Sequence, residues 1–250
     1  MTNNYIYFVA NWKMFGGIKS LNSLGKVIKF SKLSKKFKFK LIYCPPYTLL
    51  SPFIKKIKKS QISLGAQNCH YISDSGAYTG SISPEMLKSL GVKYVILGHS
   101  ESRSDGDTDY IINRKVRSCN KKKLKIIFCI GETLKEKRNG LTHKVLKKQI
   151  SKGLKGVKNI NNILFAYEPV WSIGTGVIPK LPTLRNDINI LKSFISKKYK
   201  KKNIKILYGG SVNSNNIKDL KDISTLDGFL VGGASQNAKK FIDIVKKTFN

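Results

Sequence analysis

Eight times along this chain a short apolar run ends in glycine or a polar residue and gives way to a segment with helical spacing. The apolar runs cover 5–10, 39–43, 62–67, 92–97, 124–130, 163–167, 204–207 and 228–231. They are continuously apolar rather than alternating, as strands of a parallel sheet with both faces covered read. The intervening helix-like segments cover 18–30, 47–57, 107–118, 144–154, 184–199, 215–220 and 238–249. One more starts at Ser83-Pro84-Glu85, with serine as N-cap and proline in the first turn, and stops at Gly91. Eight strand–helix units in 250 residues, with no linker between them, predict α/β architecture: a single (β/α)8 barrel domain over 1–250, eight parallel strands surrounded by helices. In such a barrel the chemistry sits at the C-terminal ends of the strands.

Composition narrows the function classes. A hydrophobic content of 41% supports a real core. No run reaches the roughly 18 apolar residues of a membrane span. Met1-Thr2-Asn3-Asn4 leads straight into the first apolar run without a basic leader, so the expectation is a cytoplasmic protein starting here. Cys44, Cys69, Cys119 and Cys129 show no CxxC and no metal-ligand spacing. They are expected to be reduced and buried or idle, with no metal and no cofactor. His70 and His143 read as surface or loop residues. Lys plus Arg number 47 against 14 Asp plus Glu, a formal charge of +33. The lysines are spread over nearly every helix, and arginine, which suits bidentate phosphate or base recognition, is scarce. Together with abundant Asn, Ile, Phe and Tyr, this reads as the imprint of an AT-rich genome. Nucleic-acid binding is expected to be non-specific only.

The strand ends hold the chemistry. Glu168 closes the sixth run, and Pro169 keeps it on extended backbone. Trp171 and Ile173 follow as water-excluding residues, with Gly174 and Gly176 in a movable loop. His99 follows Gly98 and opens a helical first turn, a position that favours the neutral imidazole. Lys13 lies two residues past Asn11, where it can neutralise an anion. Tyr208-Gly209-Gly210-Ser211 and Gly232-Gly233 end the seventh and eighth runs, the two loops that often bind phosphate in barrels. A carboxylate base, a neutral electrophile, a cation, a phosphate cradle and a lid suit proton transfer beside a carbonyl on a small phosphorylated substrate.

Seven segments, in order, resemble triosephosphate isomerase. They are Asn11-Trp12-Lys13, Gly98-His99-Ser100-Glu101, Cys129-Ile130-Gly131-Glu132, Ala166-Tyr167-Glu168-Pro169-Val170-Trp171, Ile173-Gly174-Thr175-Gly176, Tyr208-Gly209-Gly210-Ser211-Val212 and Val231-Gly232-Gly233-Ala234-Ser235. The resemblance implies cofactor-free interconversion of dihydroxyacetone phosphate and D-glyceraldehyde 3-phosphate through an enediolate, in glycolysis and gluconeogenesis. It implies Glu168 as base, His99 as electrophile and Lys13 as the cation on developing charge. The family is itself a standard worked case of this Glu/His pair and of lid closure, so these roles come with the resemblance. It further implies that Asn11 orients substrate, that Glu101 supports Lys13, and that Gly174, Ser211, Gly232 and Gly233 hold the phosphate. The family is usually dimeric through the loop Gly76-Ala77-Tyr78-Thr79-Gly80.

The chain departs from the family pattern in four places. Ser81 stands where Glu is common and Ser102 where Arg is common, which removes both halves of one inter-subunit ion pair and predicts a weakened homodimer. Val177-Ile178-Pro179 replaces a more flexible lid hinge and predicts altered lid motion. Gln236 replaces a usual Leu, and nothing in the sequence explains it. The alternative reading is a basic barrel retained as an RNA- or acidic-partner-binding protein. Against it stand four catalytic residue types, Asn11, Lys13, His99 and Glu168, at three separate strand ends.

Overall fold

A computed structural model describes residues 5–249. The expectation resting on Met1-Thr2-Asn3-Asn4 lies outside them. Eight parallel strands close in sequence order into a barrel: β1 (Ile6–Asn11), β2 (Phe39–Cys44), β3 (Ile62–Ala66), β4 (Tyr94–Leu97), β5 (Lys125–Ile130), β6 (Ile163–Tyr167), β7 (Ile206–Tyr208) and β8 (Gly228–Val231). The last strand pairs back onto the first, with Tyr7 opposite Gly228 and Ala10 opposite Val231.

The helices are α1 (Leu24–Ser31), α2 (Ser34–Phe37), α3 (Tyr47–Ile57), α4 (Pro84–Ser89), α5 (Ser100–Ser104), α6 (Asp109–Lys121), α7 (Leu134–Arg138), α8 (Thr142–Gly153), α9 (Leu181–Tyr199), α10 (Ile217–Lys221) and α11 (Ala238–Lys247). No helix among the described residues is long and apolar enough to cross a membrane.

The period-two alternation of a strand divides the apolar runs into two cores. Val9, Ile42, Ile96, Ile127, Leu164, Leu207 and Leu230 fill the barrel interior. Their neighbours Phe8, Leu41, Val95, Phe128, Phe165, Ile206 and Phe229 point outward and pack under the helices. Gly65 keeps the interior from overfilling on β3, since a Cβ there would come within 2.5 Å of Cys44 Sγ. The same parity puts Asn11, Glu168, Gly209 and Gly232, each the residue after an outward-pointing one, on the inward side at the top of the barrel.

The structure corrects several expectations. The segment 18–30 is a 3-10 turn, Ile18–Ser23, followed by α1, not one helix. β4 starts at Tyr94, not residue 92, and β7 runs from Ile206 to Tyr208 rather than over 204–207. α6 starts at Asp109 behind the Thr108 cap; Asp107 instead bonds Lys115 Nζ through both oxygens at 2.7 Å. The short helices α2 and α7 escaped the periodicity because one turn is too short to show a period. His143 is not in a loop: it lies on α8, partly exposed, with Nε2 2.7 Å from Asp187 Oδ1.

Candidate active site

Each candidate side chain is fixed by the backbone at its strand end. Asn11 is the last residue of β1, and its Oδ1 accepts the N–H of Lys13 at 3.1 Å. Lys13 is turned into the left-handed region, φ +54°, and its carbonyl accepts from Gln67 Nε2 at 2.7 Å. That backbone twist sends the ammonium to Glu101 Oε1, 2.6 Å away.

His99 owes its direction to Gly98. A left-handed φ of +75° at Gly98 breaks the alternation of β4 and turns the imidazole into the barrel mouth. A Cβ at Gly98 would come within 3.0 Å of the Cys129 carbonyl. His99 caps α5, and its Nδ1 accepts the Glu101 N–H at 3.2 Å. With Nδ1 accepting, the ring hydrogen of a neutral imidazole sits on Nε2. Nε2 is the atom nearest Glu168, 3.4 Å from Oε1.

Glu168 is 3% exposed, and its N–H donates to the Ile130 carbonyl at 2.8 Å. Its Oε2 is buried without a hydrogen-bond partner. Burial pushes this carboxyl above its ordinary range; His99, the Cys129 thiol and Lys13 pull it partly back. Two glycines make room for it. A Cβ at Gly131 would lie 1.8 Å from the Glu168 carbonyl oxygen, and one at Gly209 would lie 2.6 Å from its Cγ.

These groups share one cavity of about 220 Å³, lined by Asn11, Lys13, His99, Glu168, Gly174, Ser211, Gly232 and Gly233, with Ile173 and Leu230 as apolar walls. A Cβ at Gly233 would meet nothing within 4 Å, and one at Gly232 would meet only Lys13 Cε at 3.4 Å. So open space borders both glycines. Glu101 does not line the cavity; it stands behind Lys13.

Several residues that organise the site were not singled out in the sequence. Glu132, after Gly131 at the end of β5, accepts from Trp171 Nε1 at 2.9 Å and from the Tyr167 hydroxyl at 3.3 Å. Burial pushes its carboxyl up as well. Lys137 places its ammonium 3.3 Å from the centre of the Trp171 ring. Ser172 Oγ donates to the Val177 carbonyl at 2.6 Å and contacts the Tyr208 hydroxyl at 2.9 Å. The lid is thus held at its front by Glu132 and at its back by Tyr208. Glu132 had a legible signal, an acidic residue after glycine at a strand end. Ser172 and Gln67 had none, because their partners are distant in the chain.

The chain matches known proteins over nearly its whole length. The triosephosphate isomerase family profile matches residues 6–248. A triosephosphate isomerase of Dictyoglomus thermophilum is 42% identical over 244 residues, covering 95% of this chain and 97% of that protein. One of Borreliella burgdorferi is 43% identical over 246 residues, covering 96% and 97%. The crystal structure of triosephosphate isomerase from Bartonella henselae superposes with a TM-score of 0.87 at 33% identity, covering 97% of this chain and 98% of that one. The ordered strand-end motifs, the closed eight-stranded barrel and these likenesses agree: the chain belongs to the triosephosphate isomerase family.

Proposed function

We propose that Glu168, His99 and Lys13 carry out the reaction of this family, the interconversion of dihydroxyacetone phosphate and D-glyceraldehyde 3-phosphate. The phosphate would rest against Gly174, Ser211, Gly232 and Gly233, with Asn11 orienting the three-carbon end. Glu168 takes a proton from the carbon beside the carbonyl, giving an enediolate, and returns it to the neighbouring carbon. His99 donates its Nε2–H to the oxygen on which charge develops, and Lys13 stabilises the same anion. Ile173 and the rest of the lid exclude water, which keeps the base strong and protects the enediolate. Glu101 holds Lys13 in place.

One observation carries this reading. Glu168 lines the cavity with one oxygen 3.4 Å from the imidazole and the other buried without a partner. Glu132 also keeps one buried oxygen without a partner, but it does not border the cavity; Glu168 does, beside His99 and Lys13. The binding-protein alternative gives no reason for such a carboxylate. The chain is one domain on this reading, cytoplasmic, where its free thiols stay reduced. It is further assigned as a homodimer through Gly76-Ala77-Tyr78-Thr79-Gly80. Exposed Met14 and Phe15 after β1, Tyr47 at the start of α3 and Tyr78 after β3 leave apolar surface for that contact.

A coupled assay of purified Glu168→Asp tests the proposal. Withdrawing the carboxylate by one methylene should lower kcat by about 10²-fold or more with little change in KM. An unchanged kcat would remove Glu168 from the mechanism.

A further inference from the structure

Cys69 and Cys119 are 50 positions apart, yet their sulfurs lie 3.4 Å from each other. Cys69 follows β3, and Cys119 lies on α6. They are 4% and 0% exposed, and neither borders the catalytic cavity. The sulfurs need to close by only about 1.4 Å to reach the length of a disulfide bond.

The segment that carries Cys69 is tied on both sides. Gln67 Nε2, two residues earlier, donates to the carbonyls of Lys13 at 2.7 Å and Cys44 at 2.9 Å. Asn68 Oδ1 accepts the Cys69 N–H at 2.8 Å and the ammonium of Lys115, on α6, at 3.1 Å. Residues 67–69 therefore connect α6 to the left-handed backbone of Lys13.

We propose that Cys69 and Cys119 are a redox modification site, a dithiol that a peroxide converts to a disulfide, and that closing it displaces Lys13. The sulfur of Cys69, the less deeply buried residue of the two, attacks one oxygen of the peroxide. It becomes a sulfenic acid, and one water leaves. The Cys119 sulfur then attacks the Cys69 sulfur and expels its hydroxyl as a second water. Two thiols lose two hydrogens and two electrons, and one hydrogen peroxide is reduced to two waters. The hydrogen bond with Cys69, together with burial, pushes the Cys119 thiol well above its ordinary range, and Lys115 opposes this only in part. The second step is accordingly slow, and the pair responds to sustained rather than brief exposure. The disulfide draws Cys69 toward α6, moves Gln67 and loosens its hold on the Lys13 carbonyl. This last consequence rests on the substrate-binding role proposed for Lys13.

The test treats the whole native protein with hydrogen peroxide. Non-reducing peptide mapping by mass spectrometry, a thiol count, and KM and kcat before and after dithiothreitol are the readouts. The expected result is a peptide pair joined through Cys69 and Cys119 and a fall in free thiols from four to two. KM should rise several-fold and recover with dithiothreitol. Cys119→Ala should give no cross-link, and the same exposure should leave its KM unchanged. A cross-link that forms only after denaturation overturns the dithiol. A cross-link with unchanged KM, or an equal rise in Cys119→Ala, overturns the connection to Lys13. Mapping does not depend on turnover, so an untreated protein without isomerase activity would count against the proposed function and leave the dithiol decided by mass.

Discussion

Glu168 is a carboxylate placed where a carboxylate is costly, and that cost suits it to the role of base proposed for it. Its carboxyl holds a proton more tightly in the folded protein than in the unfolded chain, chiefly through burial. Between the ordinary value of 4.5 and the raised one, the native state therefore binds more protons than the unfolded state. The resulting loss of stability is absent below that window and complete above it. Glu168→Gln should thus raise Tm at pH 7 by roughly 2–4 °C, the shift that about 1 kcal/mol gives in a chain of this size. The gain should shrink as pH falls through that window and be gone below 4.5. Thermal unfolding of both proteins across pH checks this; an equal Tm at pH 7 would mean that burial imposes no strain on Glu168.

The elements around the base fix it by shape more than by bonding. Gly209, the residue after β7, is the clearest case, because its missing Cβ is where the Glu168 side chain runs. Gly209→Ala should push the carboxylate aside and lower kcat by about 10²-fold. KM should change little, since the glycines bordering open space, Gly232 and Gly233, belong to the β8 end. Steady-state kinetics separates the two parameters. The lid is the second element. Gly174 and Gly176 hold φ of +72° and +80°, and Ser172 ties the lid to β7 through Tyr208. Its exit is stiff: Val177 is exposed and β-branched, Ile178 packs against the core, and Pro179 is buried. Replacing Val177 with Lys and Pro179 with Ala, with Ile178 kept as the anchor, should raise kcat several-fold if lid opening limits turnover. A viscosity series on kcat reads that step, and an unchanged kcat would put the limit elsewhere.

For the whole molecule the dominant fact is charge. Most carboxylates are occupied within the subunit: Asp107 by Lys115, Asp109 by Arg103, Asp227 by Lys192 and Lys205, and Asp74 by Lys121 and Lys122. The remaining lysines leave each subunit strongly positive, so two copies repel. In the proposed homodimer, Ser81 and Ser102 stand where the family resemblance implies an ion pair that would offset this. Ser102 Oγ instead accepts from Asn68 Nδ2 at 3.5 Å, beside Asp107. The proposed homodimer should therefore dissociate at higher protein concentration in low salt than at 0.5 M salt, where the Debye length falls to roughly 4 Å. Ser81→Glu together with Ser102→Arg should tighten it. Analytical ultracentrifugation decides the matter: a dimer with no monomer at nanomolar protein in low salt would refute the weakening.

The sequence alone determined the barrel and placed the candidate site residues at the ends of its strands. Eight continuous apolar runs can be buried only in a sheet covered on both faces, and period-two alternation sends the residue after each run inward, as with Glu168 and Asn11. His99 was legible because Gly98 precedes it, and Glu132 could have been found in the same way after Gly131. The boundaries of α1, α6 and β7 were not legible, because caps and neighbouring strands end an element as firmly as its own residues do. Only the tertiary structure decided which distant groups meet. That Gly209 clears space for Glu168, that Ser172 meets Tyr208, that His143 finds Asp187 and that Cys69 touches Cys119 all depend on side chains brought together by barrel closure, which no local spacing encodes.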